Sequence, residues 1–275
     1  IIYAASYQRR RHVYTLINGG PEAAIYKSND AGENWQKLAN GLPSGDLGRI
    51  GLAISPANPD YVFALIEASG DKGGFFRSTD KGASWVEQYN YKSNSAQYYQ
   101  EIICHPTKAD IIYSLDTWTK FSKDGGKTWN NLGNKSRHVD DHALWIDPKN
   151  TDYILIGGDG GIYETFDHAK NWKYIANLPV TQFYRITVDN DYPFYNVYGG
   201  TQDNSTLGGP SQTTNTAGIV NSDWFITVGG DGYESQVDPT NPNVVYSQWQ
   251  YGGLVRYDKE TGEGMGIKAE EAKDE

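Results

Sequence analysis

A short motif recurs four times along the chain and sets its architecture. Residues 28–35, 78–85 and 122–129 each read Ser-x-Asp-x-Gly-x-x-Trp, and residues 165–172 carry a worn fourth copy with Ala169 in the glycine position. The tryptophans of successive copies are 50, 44 and 43 residues apart. A period of about 40 to 50 residues is the signature of propellers and solenoids. The chain is therefore expected to fold as a series of similar units.

A second motif recurs with the same spacing and helps to place the strands. A dipeptide ending in proline precedes a β-rich run in most units, as in Asp147-Pro148, and Asp189-Asn190 fills the gap where one is missing. Short β-branched and aromatic runs between Gly, Pro, Asn and Asp predict four strands per unit, and no helical period appears. In the most complete unit, we predict strands A, B, C and D at 142–147, 153–157, 161–166 and 172–175.

The box motif is typical of a turn between strands C and D. Ser and Asp oxygens accept bonds from nearby backbone N–H groups, Gly permits a positive φ, and Trp covers the turn. We therefore interpret the box residues as structural: Ser28, Asp30, Gly32, Trp35, Ser78, Asp80, Gly82, Trp85, Ser122, Asp124, Gly126, Trp129, Asp167 and Trp172.

The predicted fold class is all-β, a β-propeller of four-stranded blades. A four-stranded repeat cannot close its own edges, so the units should stack radially as about six blades. The first unit lacks strand A and the last lacks a Trp-led strand D. This favours an arc of a larger propeller over a closed ring in which residues 265–268 supply an edge strand. The predicted blades are about 1–40, 48–90, 98–133, 138–177, 181–228 and 229–264, with 265–275 a linker or tail.

Composition excludes several classes of function. The 275 residues carry 24 Lys+Arg against 34 Asp+Glu, a net charge of −10, which disfavours nucleic-acid binding. The single cysteine, Cys104, precludes an intrachain disulfide framework. No apolar run approaches the roughly 18 residues that a membrane span needs, so no membrane insertion is expected. The start without Met suggests a processed chain or a piece of a larger parent chain, the remainder of which would be its partner.

Loop type assigns the candidate chemistry to one mouth of the channel. In a propeller the A–B and C–D turns lie on one face, and the D–A and B–C loops lie on the other. The polar and aromatic side chains of the second set are candidate ligand-binding residues, together with candidate catalytic carboxylates. The ligand-binding candidates are Tyr98, Tyr99, Trp118, His138, His142, Gln202, Asp203, Asn204 and Tyr251.

The densest cluster is His138-x-Asp140-Asp141-His142. It could hold a divalent cation through His138, Asp140 and His142, supply an acid and a base for hydrolysis, or hydrogen-bond a tight loop. Only alternate side chains of a strand share a face, so Asp140 and His142 are expected to point together while Asp141 points away. The spacing matches no zinc signature, and no cofactor is required.

The remaining candidates lie on turns or in solvent-facing loops. Asp159 and Asp231 sit on glycine turns that could equally be structural, and residues 201–204 suit sugar hydroxyls or peptide backbone but also an Asx-turn. The aromatic candidates could stack on sugar rings or simply pack between blades. The only basic run is residues 9–12, in a long B–C loop.

The boxes resemble those of BNR or Asp-box proteins. Runs such as 48–54, 140–148, 157–161 and 198–204 are similar to the large bacterial sortilin-like proteins often labelled glycosyl hydrolases. The resemblance implies a propeller in a secreted or envelope-associated protein of much greater length, most of whose relatives lack an assigned activity. The sialidase signature is missing, because Arg49-Ile50 is followed by Gly51. Similarity to two-propeller xyloglucan hydrolases is limited to the boxes and the repeat.

Two functions remain open from sequence. The first, favoured by the resemblance to sortilin, is a recognition propeller that binds a peptide, a protein partner or a glycan at its mouth. The alternative is a glycoside hydrolase with paired carboxylates, Asp140 or Asp141 with Asp159 or Asp231. Enzymatic activity is therefore an open question at this stage.

Overall fold

The computed structural model describes residues 1–133, 135–178 and 180–269. The predicted fold class is confirmed, because these residues form antiparallel sheets of the propeller-blade type, each with its strands in sequence order. Blade 1 has three strands and an inserted two-stranded ribbon. Its strands are β1 (Ile2–Ser6), β4 (Ala24–Ser28) and β5 (Gln36–Lys37), and the ribbon strands are β2 (Arg9–Arg11) and β3 (Leu16–Asn18).

Five further blades in the described residues have four strands each. Blade 2 comprises β6 (Leu47–Ile54), β7 (Val62–Ala68), β8 (Gly74–Ser78) and β9 (Val86–Tyr89). Blade 3 comprises β10 (Ile102–Cys104), β11 (Ile112–Ser114), β12 (Lys120–Ser122) and β13 (Asn130–Asn131). Blade 4 comprises β14 (Asp141–Ile146), β15 (Ile154–Gly158), β16 (Gly161–Thr165) and β17 (Lys173–Tyr174).

The last two blades belong to a second compact unit, which begins at Asn177, whereas blades 1–4 form the first, Ile1–Ala176. Blade 5 comprises β18 (Ile186–Val188), β19 (Asn196–Gly200), β20 (Thr206–Pro210) and β21 (Phe225–Val228). Blade 6 comprises β22 (Gly232–Val237), β23 (Val244–Trp249), β24 (Gly253–Asp258) and β25 (Gly264–Gly266). Single 3₁₀ turns occur at Ser69–Asp71, Asn221–Asp223 and Gln250–Gly252. None of the helices in the described residues is long and apolar enough to cross a membrane.

Several strand ends differ from the sequence-based expectation. In blade 4, the fourth strand pairs only through Tyr163 with Tyr174 and Glu164 with Lys173, because Trp172 belongs to the preceding turn. In blade 6, Gly264–Gly266 pairs with Val255–Tyr257 and forms the fourth strand without a leading tryptophan. The segment predicted as a tail from residue 265 thus begins inside a strand, and residues 270–275 lie outside the described residues.

The hydrophobic core of the first unit lies between neighbouring blades. Strand β7 alternates its side chains between two clusters, with Val62, Ala64 and Ile66 packed toward blade 1 and Phe63 and Leu65 toward blade 3. All five are fully buried, since successive strand side chains point to opposite faces and both faces are covered. A third cluster joins blades 3 and 4. Stacking of blades therefore explains the continuous apolar run in this strand.

The box motifs form tight turns between the third and fourth strands of blades 1–4. In the first copy, the Ser28 hydroxyl donates to Asp30 Oδ1 (2.7 Å) and accepts the Gly32 N–H (2.8 Å). Asp30 also accepts the Asn34 N–H (2.9 Å), and the Trp35 indole N–H donates to the Gly32 carbonyl (2.9 Å). The other copies repeat the first three bonds.

Candidate functional site

Four side chains of the first unit meet at the loop face of blades 3 and 4. We call Tyr99, Asp140, His142 and Asp159 the carboxylate cluster. Tyr99 precedes the first strand of blade 3, Asp140 and His142 stand at the start of β14, and Asp159 follows β15. Sequence reasoning had named all four as site candidates, and the structure brings them together.

The backbone around Asp140 is held in an unusual conformation. Asp140 has a φ of +67°, in the left-handed region that few non-glycine residues adopt. Its N–H donates to the Thr117 carbonyl (3.1 Å), and its carbonyl accepts the Asp159 N–H (3.1 Å). A Cβ on Gly158 would lie 2.1 Å from the Asp140 carbonyl oxygen, so only glycine fits there. The glycine turn before Asp159 therefore permits the close approach of the two loops.

His142 is the extra residue of a β-bulge. Asp141 pairs with Gly158 and Ala143 with Gly157, which leaves His142 without a partner in the β14–β15 ladder. A bulge redirects a side chain, and bulges are over-represented beside active sites. The His142 ring stacks on Tyr99 at a centroid distance of 5.2 Å, and Nε2 lies 3.3 Å from Asp159 Oδ1. The bulge thus places the imidazole between the phenol and the second carboxylate.

The Tyr99 hydroxyl connects the two carboxylates electrostatically. It donates a hydrogen bond to Asp140 Oδ1. Burial raises the pKa of Tyr99 most, and the hydrogen bond to Asp140 and the negative charges of Asp140 and Asp159 raise it further. The phenol therefore stays protonated at neutral pH and acts as a donor to Asp140.

Asp141 occupies a different environment from its neighbour. It is buried, accepts the Thr119 hydroxyl proton at Oδ2 (2.6 Å) and pairs with the Arg137 guanidinium at Oδ1. Burial is the main cause of its raised pKa, opposed by the hydrogen bond from Thr119 and by Arg137. Arg137 in turn lies over the Trp172 ring, 5.0 Å from its centroid. These contacts tie the start of β14 to blade 3 and leave little of Asp141 for a ligand.

His138 does not join the cluster. Its Nδ1 lies 2.7 Å from the Val139 carbonyl, and its N–H donates to the Tyr163 hydroxyl (3.2 Å). A Cβ on Gly160 would lie 2.2 Å from His138 Cβ, so the histidine packs directly on that glycine. No group of three His, Cys, Asp or Glu side chains among the described residues is arranged to hold a metal ion. The divalent cation considered from sequence therefore gains no support from this geometry.

Two exposed aromatic candidates flank the cluster. The side chain of Trp118 is 52% exposed and that of Tyr98 is 47% exposed. The Tyr98 hydroxyl accepts a hydrogen bond from Arg11 Nη1 (3.1 Å). Both rings lie in the loops that border the carboxylate cluster, where a ligand could reach them.

The second unit contains an aromatic pocket of about 310 Å³. Its walls include Tyr184, Tyr233, Trp249 and Tyr251, with Asp231 at one side. The Trp249 ring lies over Gly253, where a Cβ would approach its Nε1 to 1.9 Å. Tyr251 is 89% exposed and has a φ of +61°. The sequence indicates Asp231, Gln250 and Tyr251 here, but it does not indicate Tyr184, Tyr233 or Trp249, which are ordinary strand or loop aromatics until the blades are stacked.

Polar candidates of the second unit hold the loops around this pocket. Gln202 Oε1 accepts the Tyr184 hydroxyl proton (2.6 Å), and Asp231 Oδ1 accepts the Asp203 N–H (2.8 Å). The Asp231 N–H donates to Gln250 Oε1 (2.6 Å). The Asn204 amide donates to the Gln202 carbonyl (3.0 Å). The motif of residues 201–204 therefore bonds within its own loop and to the next blade.

Comparison with known proteins finds distant relatives among xyloglucanases. No protein-family model matches the chain. An oligoxyloglucan-reducing end-specific xyloglucanase of Emericella nidulans is 25% identical over 173 residues, which is 56% of this chain and 21% of that protein. Xyloglucanase Xgh74A of Acetivibrio thermocellus is 28% identical over 181 residues, which is 55% of this chain and 21% of that protein. The chain thus matches about a fifth of the length of these relatives.

Solved structures with a similar arrangement include enzymes and a binding protein. The Niastella koreensis GH74 enzyme matches with a TM-score of 0.45 and 18% identity over 88% of this chain and 42% of its own. The GH74 xyloglucanase of Xanthomonas campestris matches with a TM-score of 0.44 and 15% identity, and the match covers 91% of this chain and 43% of that protein. YCF48 bound to D1 peptide matches with a TM-score of 0.42 and 12% identity, and the match covers 90% of this chain and 77% of that protein.

Proposed function

We propose that this chain is part of a glycoside hydrolase that cleaves a polysaccharide at the carboxylate cluster. The xyloglucanase relatives support this alternative better than the recognition function favoured from sequence. Because the chain matches about a fifth of those relatives, their substrate is one member of the panel to be tested and not an assignment. Secretion, inferred from the sequence resemblance, fits an enzyme that meets a polymeric substrate.

The proposal rests on the position of Asp140 and Asp159 at one stacked pair of rings, since Asp140 contacts Tyr99 and Asp159 contacts His142. Hydrolysis of a glycosidic bond requires one group to protonate the leaving oxygen and another to activate water or attack the sugar. The charges of both carboxylates act on the Tyr99 phenol, and an imidazole lies beside one of them. Two unlike carboxylate environments within one mouth supply the components of acid–base catalysis.

Each group has a role in a balanced step. Asp140, oriented by the Tyr99 hydroxyl, takes a proton from water as the water oxygen bonds to the anomeric carbon. The His142–Asp159 pair delivers one proton to the glycosidic oxygen as the carbon–oxygen bond breaks. Proton transfer from Asp140 back to that pair through solvent restores the starting state. Tyr99 acts as a positioning residue, because it contacts Asp140 and the imidazole.

The aromatic pocket favours a saccharide as the ligand and supports a second candidate function. Aromatic rings that line a cavity offer flat apolar faces, and Asp231 and the neighbouring amides offer hydrogen-bonding groups suited to hydroxyls. Such a pocket would bind a glycan whether or not the first unit cleaves it. Glycan recognition without hydrolysis therefore remains the second candidate.

The test is release of reducing ends from xyloglucan and a panel of other polysaccharides by the full-length protein. We expect Asp140→Asn and Asp159→Asn each to reduce kcat by about 10² to 10⁴ with little change in Tm. Asp152→Asn is the matched control, because Asp152 lies 3.3 Å from His168 in the same blade but on the opposite face. Its activity should stay within twofold of wild type.

Two results would overturn this assignment. Full activity in both cluster variants would remove the carboxylates from the mechanism, and an equal loss in Asp152→Asn would show a general effect of charge. A folded protein that releases nothing but binds a polysaccharide would support recognition instead. In that case Trp249→Ala should weaken binding, whereas Tyr246→Ala, with similar exposure on the same strand but outside the pocket, should not.

A further inference from the structure

The ribbon inserted in blade 1 presents three consecutive arginines. Arg9, Arg10 and Arg11 form β2 and pair with Asn18, Ile17 and Leu16 of β3. All three are exposed, and the ribbon ends in the exposed side chains of Val13 and Tyr14. The ribbon lies in the loop between β1 and β4, which correspond to the second and third strands of a complete blade, so it belongs to the face that carries the candidate chemistry.

These arginines lack the carboxylate partners that other arginines have. Arg49, Arg77, Arg137 and Arg185 each lie within ion-pair distance of an aspartate or glutamate. The Arg256 charge lowers the pKa of Asp238 and Asp258. Among the described residues, no carboxylate lies at ion-pair distance from the ribbon arginines. A protein of net charge −10 thus keeps three adjacent arginines in this ribbon without a carboxylate at ion-pair distance.

The patch borders the carboxylate cluster. Arg11 Nη1 donates to the Tyr98 hydroxyl at 3.1 Å, and Tyr98 precedes Tyr99 of the cluster. The hydrogen bond from Arg11, together with the charges of Arg11 and Arg9, lowers the pKa of Tyr98 against the effect of burial. The arginines therefore lie beside an exposed aromatic ring at the edge of the proposed catalytic centre.

We propose that the arginine ribbon binds the carboxylate groups of an acidic polysaccharide that enters the carboxylate cluster. A guanidinium presents a planar fork of donors that matches a carboxylate, and arginines without a carboxylate partner need no ion pair broken before they bind. The adjacent Tyr98 ring offers a face for the sugar itself. The saccharide part of this inference rests on the proposed function, whereas the need for an anionic ligand rests on the ribbon alone.

Other anions fit the ribbon less well. Three cations are too few for the counterion release that drives nucleic-acid binding, and the rest of the chain is acidic. Charged side chains also protect sheet edges from aggregation, but that purpose does not require arginines next to an aromatic ring at a candidate site. An acidic polypeptide shares the charge of a uronate but not the sugar ring, so it serves as a discriminating probe.

The test compares three oligomeric probes by calorimetry with the full-length protein: oligogalacturonate, oligoglutamate of similar length and a xyloglucan oligosaccharide. We expect oligogalacturonate to bind, with an affinity that falls at least tenfold in Arg9→Gln/Arg10→Gln/Arg11→Gln and falls as salt rises. Xyloglucan binding should be unchanged by this triple substitution. Oligoglutamate should bind at least tenfold more weakly than oligogalacturonate.

A charge-matched control keeps the result specific. Lys108→Gln/Lys149→Gln/Lys170→Gln also removes three positive charges, in turns of the opposite face, and should leave oligogalacturonate affinity within twofold. The inference fails if oligogalacturonate does not bind, if the ribbon variant binds it normally, if the control loses as much affinity, or if oligoglutamate binds equally well. Failure of the proposed function looks different: oligogalacturonate then binds through the ribbon while no polysaccharide is cleaved.

Discussion

Each box aspartate is the centre of a small hydrogen-bonded turn that depends on its ionised form. Hydrogen bonds from the residue four positions later and, after them, the bond from the Ser or Thr hydroxyl lower the pKa of Asp30, Asp80 and Asp167 to about 2. An ordinary aspartate titrates near 3.8. The folded chain therefore holds these groups ionised at a pH where the unfolded chain has begun to protonate them.

This difference predicts a specific loss of stability in acid. A lowered pKa in the folded state contributes stability that is complete above about pH 4 and is lost as the pH falls toward 2. We expect Asp30→Asn/Asp80→Asn/Asp167→Asn to have a lower Tm than wild type at pH 5 and a similar Tm at pH 2. Thermal unfolding from pH 5 to 2 measures both curves. Parallel curves across that range would show that the box carboxylates do not carry the acid sensitivity.

Two glycines of the box turns show how the same turn is packed differently in different blades. The box glycines Gly32 and Gly126 both have positive φ, but their surroundings differ. A Cβ on Gly32 would meet only the Trp35 ring at 3.8 Å, whereas one on Gly126 would lie 2.2 Å from the buried Phe75 ring of the neighbouring blade. The same turn is therefore locally tolerant in blade 1 and tightly packed in blade 3.

Substitution by alanine should separate backbone strain from steric clash. Gly32→Ala should lower the free energy of unfolding by about 1 kcal/mol, the cost of a left-handed conformation. Gly126→Ala adds overpacking against Phe75 and should cost about 1 to 3 kcal/mol more. Ala169, with a φ of +63° in the fourth copy, already shows that alanine can occupy this position. Equal losses in urea unfolding would contradict the interblade contact.

The order of the strands and the positions of the turns could be predicted from the sequence, because both depend on residues that are close together in the chain. Alternating burial, box spacing and the prolines after strand A each act within a few residues. The β-bulge at His142 was not readable, because it depends on Asp140 taking a left-handed conformation and contacting Gly158 across the blade. The sequence could place Asp140 and Asp159 on one face and Asp141 pointing away, but it could not show that Asp141 pairs with Arg137.

Contacts between blades were the least accessible to sequence reasoning. Arg137 and Thr119, which bind Asp141, carry no motif and come from separate segments. Tyr184, Tyr233 and Trp249 line a pocket only because loops of two blades converge. A signal was present in the number of aromatics near Asp231, but composition alone does not separate a packed ring from one that faces a cavity.

At the scale of the first unit, the blades approach one another through bare backbone as well as side chains. A Cβ on Gly51 of β6 would lie 1.6 Å from the Gln100 carbonyl oxygen, just before blade 3 begins. The fully buried Gln100 side chain bridges the same gap, since its amide donates to the Arg49 carbonyl (3.3 Å). The backbone at Gly51 and the backbone at Gln100 cannot move apart unless blades 2 and 3 separate.

The close approach of blades 2 and 3 predicts that alanine destabilises the protein much more at Gly51 than at Gly157, although both glycines lie in strands. Gly51→Ala should lower the free energy of unfolding by about 3 kcal/mol or more, because the clash is with backbone. Gly157→Ala is the matched control, since its Cβ would meet nothing closer than 3.9 Å and its cost should be below about 0.5 kcal/mol. Urea unfolding of both variants measures the difference. A small effect in Gly51→Ala would mean that blades 2 and 3 can separate at this point.

The carboxylate cluster is confined to a short stretch of the chain, from Tyr99 to Asp159, although it uses two blades. During synthesis, all of its members leave the ribosome as consecutive segments, and supporting residues such as Tyr163 and Trp172 also belong to the first unit. Domains generally fold as units during synthesis, the N-terminal one first. The cluster can therefore form on a nascent chain once blade 4 is complete and before the second unit exists.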